Sequence, residues 1–136
     1  MNRLLIVGSL CLAVLGVGVA VGTSDGAEPA GKVFAHDVYF ALNDSSPEAR
    51  EALVDACEKY LSGHDGTIFF AAGTRAQEAK RDVNDTDFDV SLHIHFKDAA
   101  AHGVYQEHPR HKEFIAEMNA NWKAVRVFDS WVTTGP

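Results

Sequence analysis

From Phe88 to Phe96 apolar and polar residues alternate without a break. Phe88, Val90, Leu92, Ile94 and Phe96 form one set, and Asp89, Ser91, His93 and His95 the other. Successive side chains of a strand point to opposite faces, so a period of two predicts a half-buried β-strand, whereas a helix would repeat its apolar positions every three to four residues. A chain with such a strand needs partner strands for its backbone groups and a second layer over the apolar face.

The neighbouring segments supply both. Val33 to Leu42 is aromatic and β-branched, with Phe34, His36, Val38, Phe40 and Leu42 on one face, and reads as a strand. Ser46-Pro47-Glu48 then offers an N-cap, a proline at the first helical position and an acidic first turn, which predicts a helix to about Leu61. Leu53, Ala56, Cys57, Tyr60 and Leu61 form its inward stripe, where Cys57 reads as packing, not as a nucleophile. Thr67 to Thr74 is a further strand, and Arg75 to Asp85 a polar loop. Asp98 caps a helix through Tyr105, Pro109 opens a second helical stretch carrying His111, Phe114, Ile115 and Met118, and Val125 to Val132 closes the chain as a strand. The order β-α-β-β-α-β predicts an α+β domain of ferredoxin-like arrangement: a four-stranded antiparallel sheet with its helices on one face. The uncovered face would carry Val33, Ala35, Tyr39, Phe128 and Val132 with His93 and His95, a partly apolar surface that reads as an interface.

Ahead of this domain, Arg3 precedes an uncharged apolar run from Leu4 to Val21, and Ala20-Val-Gly22 fits a small-residue cleavage site. Residues 1–22 therefore read as a secretory signal, which predicts export to the periplasm or the cell exterior. The alternative is an uncleaved membrane anchor over residues 4–21, a run at the lower edge of the roughly 17–25 residues that span a bilayer. Residues 23–31 are Gly, Ala, Pro and acidic, a flexible linker, and 32–133 is one domain. With 12 basic against 19 acidic residues the chain has a formal net charge of −7. Without a Lys/Arg cluster it has no electrostatic footprint for nucleic acid or anionic lipid, so no nucleic-acid partner is expected. Cys57 is the one cysteine beyond the signal, so the domain is held by packing without an internal disulfide.

The chemistry concentrates in Tyr105-Gln-Glu-His-Pro-Arg-His111, a phenol and two imidazoles around a helix-starting proline. Histidine exchanges protons near neutral pH and tyrosine donates a hydrogen bond to a carbonyl. Together they can remove a proton α to a carbonyl, with His111 as base, Tyr105 polarising the carbonyl or enolate, and His36 orienting the substrate from the sheet. The competing reading makes His111 and Tyr105 fasteners of the helix break and His36 a buried histidine bonded to Tyr105 or to backbone. His108 is a secondary ligand candidate, because Pro109 pushes its backbone out of the helical region and leaves its ring at the cavity mouth or in solvent. His93 and His95 have a spacing that can hold zinc, but no carboxylate or cysteine stands at matching spacing, and a polar row at a dimer interface explains them as well. His64 and His102 read as surface residues. Asp129 calls for a backbone donor or Arg126 of a neighbouring chain.

Taken together, Phe34-Ala-His-Asp-Val-Tyr-Phe40, Tyr105-x-x-His108-Pro109-x-His111 and Val127-Phe-Asp-Ser-Trp131 resemble the stress-responsive α/β-barrel (Dabb) family over nearly all of residues 33–132. That resemblance implies a homodimer in which two sheets face each other as a dimeric α+β barrel. A cyclase of that family acts on a poly-β-keto substrate without a cofactor. By its pattern Tyr105 and His111 match the catalytic pair, His36 the first-strand histidine, and Phe114, Trp122, Val125 and Val127 the pocket wall; Phe40 is a further candidate to line the same space. Val90 stands where that cyclase has a further histidine. Two functions follow as expectations: an exported homodimer binding a small apolar or carbonyl-bearing molecule, with cyclase- or lyase-like acid–base activity, or a non-catalytic stress-associated assembly protein acting through its sheet face. No cofactor is expected, and His111 alone is not a haem-site signature.

Overall fold

The structure is a computed structural model, and it describes residues 28–135. The signal or anchor segment 1–22 and the first part of the linker lie outside the described residues. Among the described residues no helix is long and apolar enough to cross a membrane.

Four strands and three helices follow in the order β1 (Val33–Leu42), α1 (Pro47–Leu61), β2 (Thr67–Thr74), β3 (Val90–Phe96), α2 (Ala99–Glu107), α3 (Pro109–Met118) and β4 (Trp122–Val132), with a single 3₁₀ turn, Asn119–Asn121, before β4. The sheet is antiparallel in the order β2-β3-β1-β4, the ferredoxin-like topology, so β1 and β3 are central and β4 is an edge. The helix starts are made by the residues expected of them. The Ser46 hydroxyl accepts from the Ala49 N–H, and Asp98 accepts from the Ala101 N–H at 2.7 Å. Each satisfies a donor that the first helical turn leaves free.

The alternation of β3 puts Val90, Leu92, Ile94 and Phe96 at 0–1% exposure beneath the helices, together with Val38, Phe40, Leu53, Cys57, Leu61, Tyr105 and Phe114. Burying each Leu or Ile contributes about 1.5–3 kcal/mol, which makes this layer the main source of stability. Burial pushes the Cys57 thiol up to about 12, as inert packing requires.

Two strand starts differ from the sequence reading, and α2 runs past Tyr105 to Glu107. β4 begins at Trp122, three residues early, because its pairing with β1 continues through a register shift at Ala41/Leu42. β3 begins at Val90, two residues late, because the alternation breaks at Asp89. The Asp89 carboxylate turns to the helix side, where it accepts from the Leu42 N–H at 2.8 Å and from Arg50 Nε at 3.1 Å. Phe88 is thereby displaced from the core face to the open one, where its ring meets Tyr39 at 5.0 Å. The anchoring of a charged side chain overrides the period.

On the open face Tyr39 also meets Phe128 and His93, each at 5.8 Å, while Phe69 and Phe128 remain about half exposed. An open groove of about 460 Å³ beside them is lined by Asp37, Tyr39, Asn84, Asp85, Phe88, Arg126 and Phe128.

Candidate functional site

β1 places His36 on the helix side between Phe34 and Val38, only 4% exposed. Its direct neighbour on β4 is Asp129, and His36 Nδ1 lies 2.7 Å from Asp129 Oδ1. Neither a backbone donor nor Arg126 of another chain is therefore needed to explain Asp129, and His36 is bonded neither to Tyr105 nor to backbone. With Nδ1–H donating to the carboxylate, His36 Nε2 is the nitrogen with the free lone pair.

α2 brings His102, Tyr105 and Gln106 to the same region, since positions three and four apart share a helix face. At the α2–α3 break His108 is extended (φ −66°, ψ 138°) and its ring accepts the Arg110 N–H at 3.1 Å. This histidine caps α3. The sharp turn it makes with Pro109 folds His111 back over Tyr105, with ring centres 4.7 Å apart. His111 Nδ1 donates to the Gln106 carbonyl at 3.1 Å, leaving Nε2 unprotonated in the neutral ring. Burial holds His111 below the usual histidine range, against the raising effect of that carbonyl.

Tyr105 is 1% exposed and wedged among His36, His64, Phe96 and His111 at ring distances of 4.7–5.9 Å. Burial pushes its phenol well above the usual range, so it remains a neutral donor. Among the described residues its hydroxyl takes no hydrogen bond, and the buried indole N–H of Trp122 has no partner either.

These groups open onto a cavity of about 200 Å³ between the sheet and α3, reaching the edge strand β4. His36, Tyr105 and His111 line it, as do Phe40, Phe114, Trp122, Val125 and Val127. Val125 and Val127 are 39% and 49% exposed although they point to the helix side, so the helices leave this end of the sheet uncovered. Gln106 and Ile115 also contribute, and of these no sequence pattern singled out Gln106. Val90 does not line the cavity, being wholly buried under the core. His108 opens instead onto a separate hollow of about 130 Å³ with His64, Tyr105 and Arg110. The 460 Å³ groove is larger, but it contains no histidine and lies on the opposite sheet face.

Two histidines expected at the surface are wholly or partly buried. His64 is 8% exposed and its Nε2 lies 2.9 Å from the Tyr60 carbonyl oxygen. His102 stacks on Phe34 at 4.5 Å and lies 4.7 Å from the His36 ring. Burial first, then the neighbouring His36, lowers the affinity of His102 for a proton, and burial does the same for His64. His93 and His95 each have a partner of their own: His93 Nδ1 lies 2.6 Å from Asp37 Oδ1, and His95 packs on Phe69. The three-residue group that could hold a metal among the described residues is His36, His102 and Asp129.

The sequence matches the model of the Stress Responsive A/B Barrel Domain family over residues 34–132. No curated protein matches it. Among solved structures, a dimeric ferredoxin-like protein of unknown function from Thermobifida fusca is similar at 17% identity and a TM-score of 0.63, covering 78% of this chain and 96% of that one. A Dabb family protein with a ferredoxin-like fold from Mesorhizobium loti is 22% identical with a TM-score of 0.61, covering 76% and 99%. A hydroxynitrile lyase from Passiflora edulis is 15% identical with a TM-score of 0.62, covering 78% and 99%. At these identities the likeness is one of fold.

Proposed function

The chain belongs to the Stress Responsive A/B Barrel Domain family, and from that premise we propose that its helix-side cavity binds a small, mainly apolar, carbonyl-bearing molecule and removes a proton α to the carbonyl. The observation that carries this reading is the fixed tautomer of His111: its Nδ1–H is committed to the Gln106 carbonyl, so a neutral Nε2 is left as the base beside a ligand-sized space. In the step itself the C–H bond breaks, its proton passes to Nε2, and the electron pair moves into the carbonyl as an enolate. Tyr105 donates to that oxygen, at no cost of breaking a bond to another described residue. His36, set by Asp129, positions the substrate from the sheet side. No cofactor is required for this proton transfer.

Size narrows the ligand. A dry cavity of about 150 Å³ holds a benzene molecule, so a space of about 200 Å³ suits a single ring or short chain with one carbonyl substituent. The Trp122 indole and the Tyr105 hydroxyl are donors awaiting an acceptor, which a carbonyl oxygen provides. The fold is compatible with lyase chemistry in the Passiflora edulis enzyme, although the identity is too low to carry that activity over.

We further propose that the chain is exported, on the strength of Arg3 and the apolar run that follows it, and that it pairs with a second copy through the sheet face bearing Tyr39, Phe69 and Phe128. The dimeric state of the Thermobifida fusca neighbour supports the pairing. That same aromatic face favours the second reading, an assembly protein with no bound ligand.

Native mass spectrometry of the protein purified from its own source, beside a His36/Tyr105/His111 triple alanine variant, separates the two. A small molecule carried by the parent and absent from the variant supports the cavity. An empty dimer in both overturns it in favour of assembly.

A further inference from the structure

Three side chains from three separate elements converge beside the cavity, of whose lining only His36 is part: His36 of β1, His102 of α2 and Asp129 of β4. One ligand-capable atom of each lies within 4.8 Å of the others. We propose that they form a binding site for a first-row divalent cation of the zinc class, such as Zn²⁺, Co²⁺ or Fe²⁺.

The donor set fits that class. Two imidazoles and one carboxylate are the ligands of cations of intermediate softness, and three protein donors leave coordination positions open for water or a substrate oxygen. Metal–donor distances of about 2.0–2.2 Å bring such donors to roughly 3 Å from one another. The three atoms must therefore draw together by rotation of side chains that have room to move. Asp129 is exposed and His102 half-buried, so the adjustment falls on them, while His36 stays fixed in the sheet.

The hydrogen bond between His36 and Asp129 accounts for two members of the group without a metal, but not for the third. His102 is held against them by its stack on Phe34 and by Gln106, whose side-chain amide nitrogen lies 2.9 Å from His102 Nε2. In a metal centre the outer nitrogen of an imidazole donates, so the Gln106 amide would turn its oxygen to His102 Nε2–H and leave the other ring nitrogen for the cation. Burial grades from His36 through His102 to Asp129, which gives a cation a path from solvent to the inner ligand. Local spacing could not reveal the group, because its members lie on three elements far apart in the chain.

This site stands apart from the ligand proposal except that it shares His36. A bound cation would engage His36 and leave His111 and Tyr105 untouched.

The test is Co²⁺ titration of the full chain at neutral pH, followed by its visible absorption, with Zn²⁺ added afterwards as competitor. One equivalent should bind, and Zn²⁺ should bleach the signal, being the tighter ligand in the usual order of affinities. His102→Ala and Asp129→Asn should each weaken binding at least tenfold, while the His93→Ala/His95→Ala double variant should bind as the parent does. Circular dichroism checks folding, and should His102→Ala prove unfolded, the near-isosteric Asp129→Asn decides alone. Absence of Co²⁺ binding in the parent at millimolar metal, unchanged binding in Asp129→Asn, or loss confined to the His93/His95 variant would each overturn the site.

Discussion

Replacing His111 by alanine separates a proton-moving histidine from one that holds the fold together. The structure gives His111 few structural duties: one hydrogen bond to the Gln106 carbonyl at 3.1 Å and a tilted ring contact with Tyr105 at 4.7 Å. The bond is worth about 1 kcal/mol net and the ring pair about 0.5–1.5 kcal/mol. Against these, alanine at the third helical position gains up to about 0.7 kcal/mol in helix propensity. The expected loss is therefore about 1–2 kcal/mol, which for a domain of this size lowers Tm by roughly 5–15 °C at 4–8 °C per kcal/mol. Urea denaturation with circular dichroism measures it, and exchange of the methyl protons of acetophenone in D₂O, followed by proton NMR, reads the base. The variant should remain folded and lose the exchange seen in the parent. A loss above about 4 kcal/mol, with no exchange by the parent, would show that His111 is a structural fastener and refute the reasoning.

Asp89→Ala should cost roughly 3–5 kcal/mol, because it breaks a largely buried pair with Arg50 and strips the Leu42 N–H of its acceptor; a urea-measured change below 1 kcal/mol would mean that water takes over both contacts. Aspartates introduced together at Tyr39 and Phe128 should convert a dimer to monomers in analytical ultracentrifugation, and a dimer surviving both would place the interface elsewhere. His64, His102 and His111 all bind protons less readily in the fold than in the free chain. Below the unfolded value of about 6.5 the unfolded state thus takes up more protons, and stability should fall as pH drops from 7 through 6. The urea midpoint tracks this, and a midpoint that rises over that interval would contradict the burial of these rings.

What could be read from sequence was local. Caps at Ser46 and Asp98, proline at the first turn of α1 and α3, and the period of two in β1 and β3 all act within a few residues, and each element they predict is present. The misplacement of Phe88 shows where periodicity fails: a carboxylate with two donors to satisfy outranks the alternation, and those donors come from β1 and α1. The site was legible in part. Tyr105 and His111 announce themselves by proximity in the chain, whereas the partner of His36 depends on strand register, which sets Asp129 opposite it across more than ninety positions. From sequence His64 reads as exposed, because a polar residue in a turn usually is. Here Gly66, at φ +80°, lets the turn press so close to α2 that a Cβ there would stand 2.5 Å from that of Ala101, and the His64 imidazole meets the Tyr60 carbonyl at 2.9 Å.

The adjacent residues His36 and Asp37 each meet an oppositely matched partner, Asp129 beneath the helices and His93 on the open side. The length of β1 is therefore subject to a rule of parity. One residue inserted or deleted before His36 would exchange the contents of the two sides, delivering a carboxylate to the cavity and an imidazole to the opposite surface, whereas a change of two would preserve the allocation. Beyond Ala41 the rule lapses, since the register shift there already absorbs an odd step. Homologues should accordingly vary in length by single residues after that point and not before it.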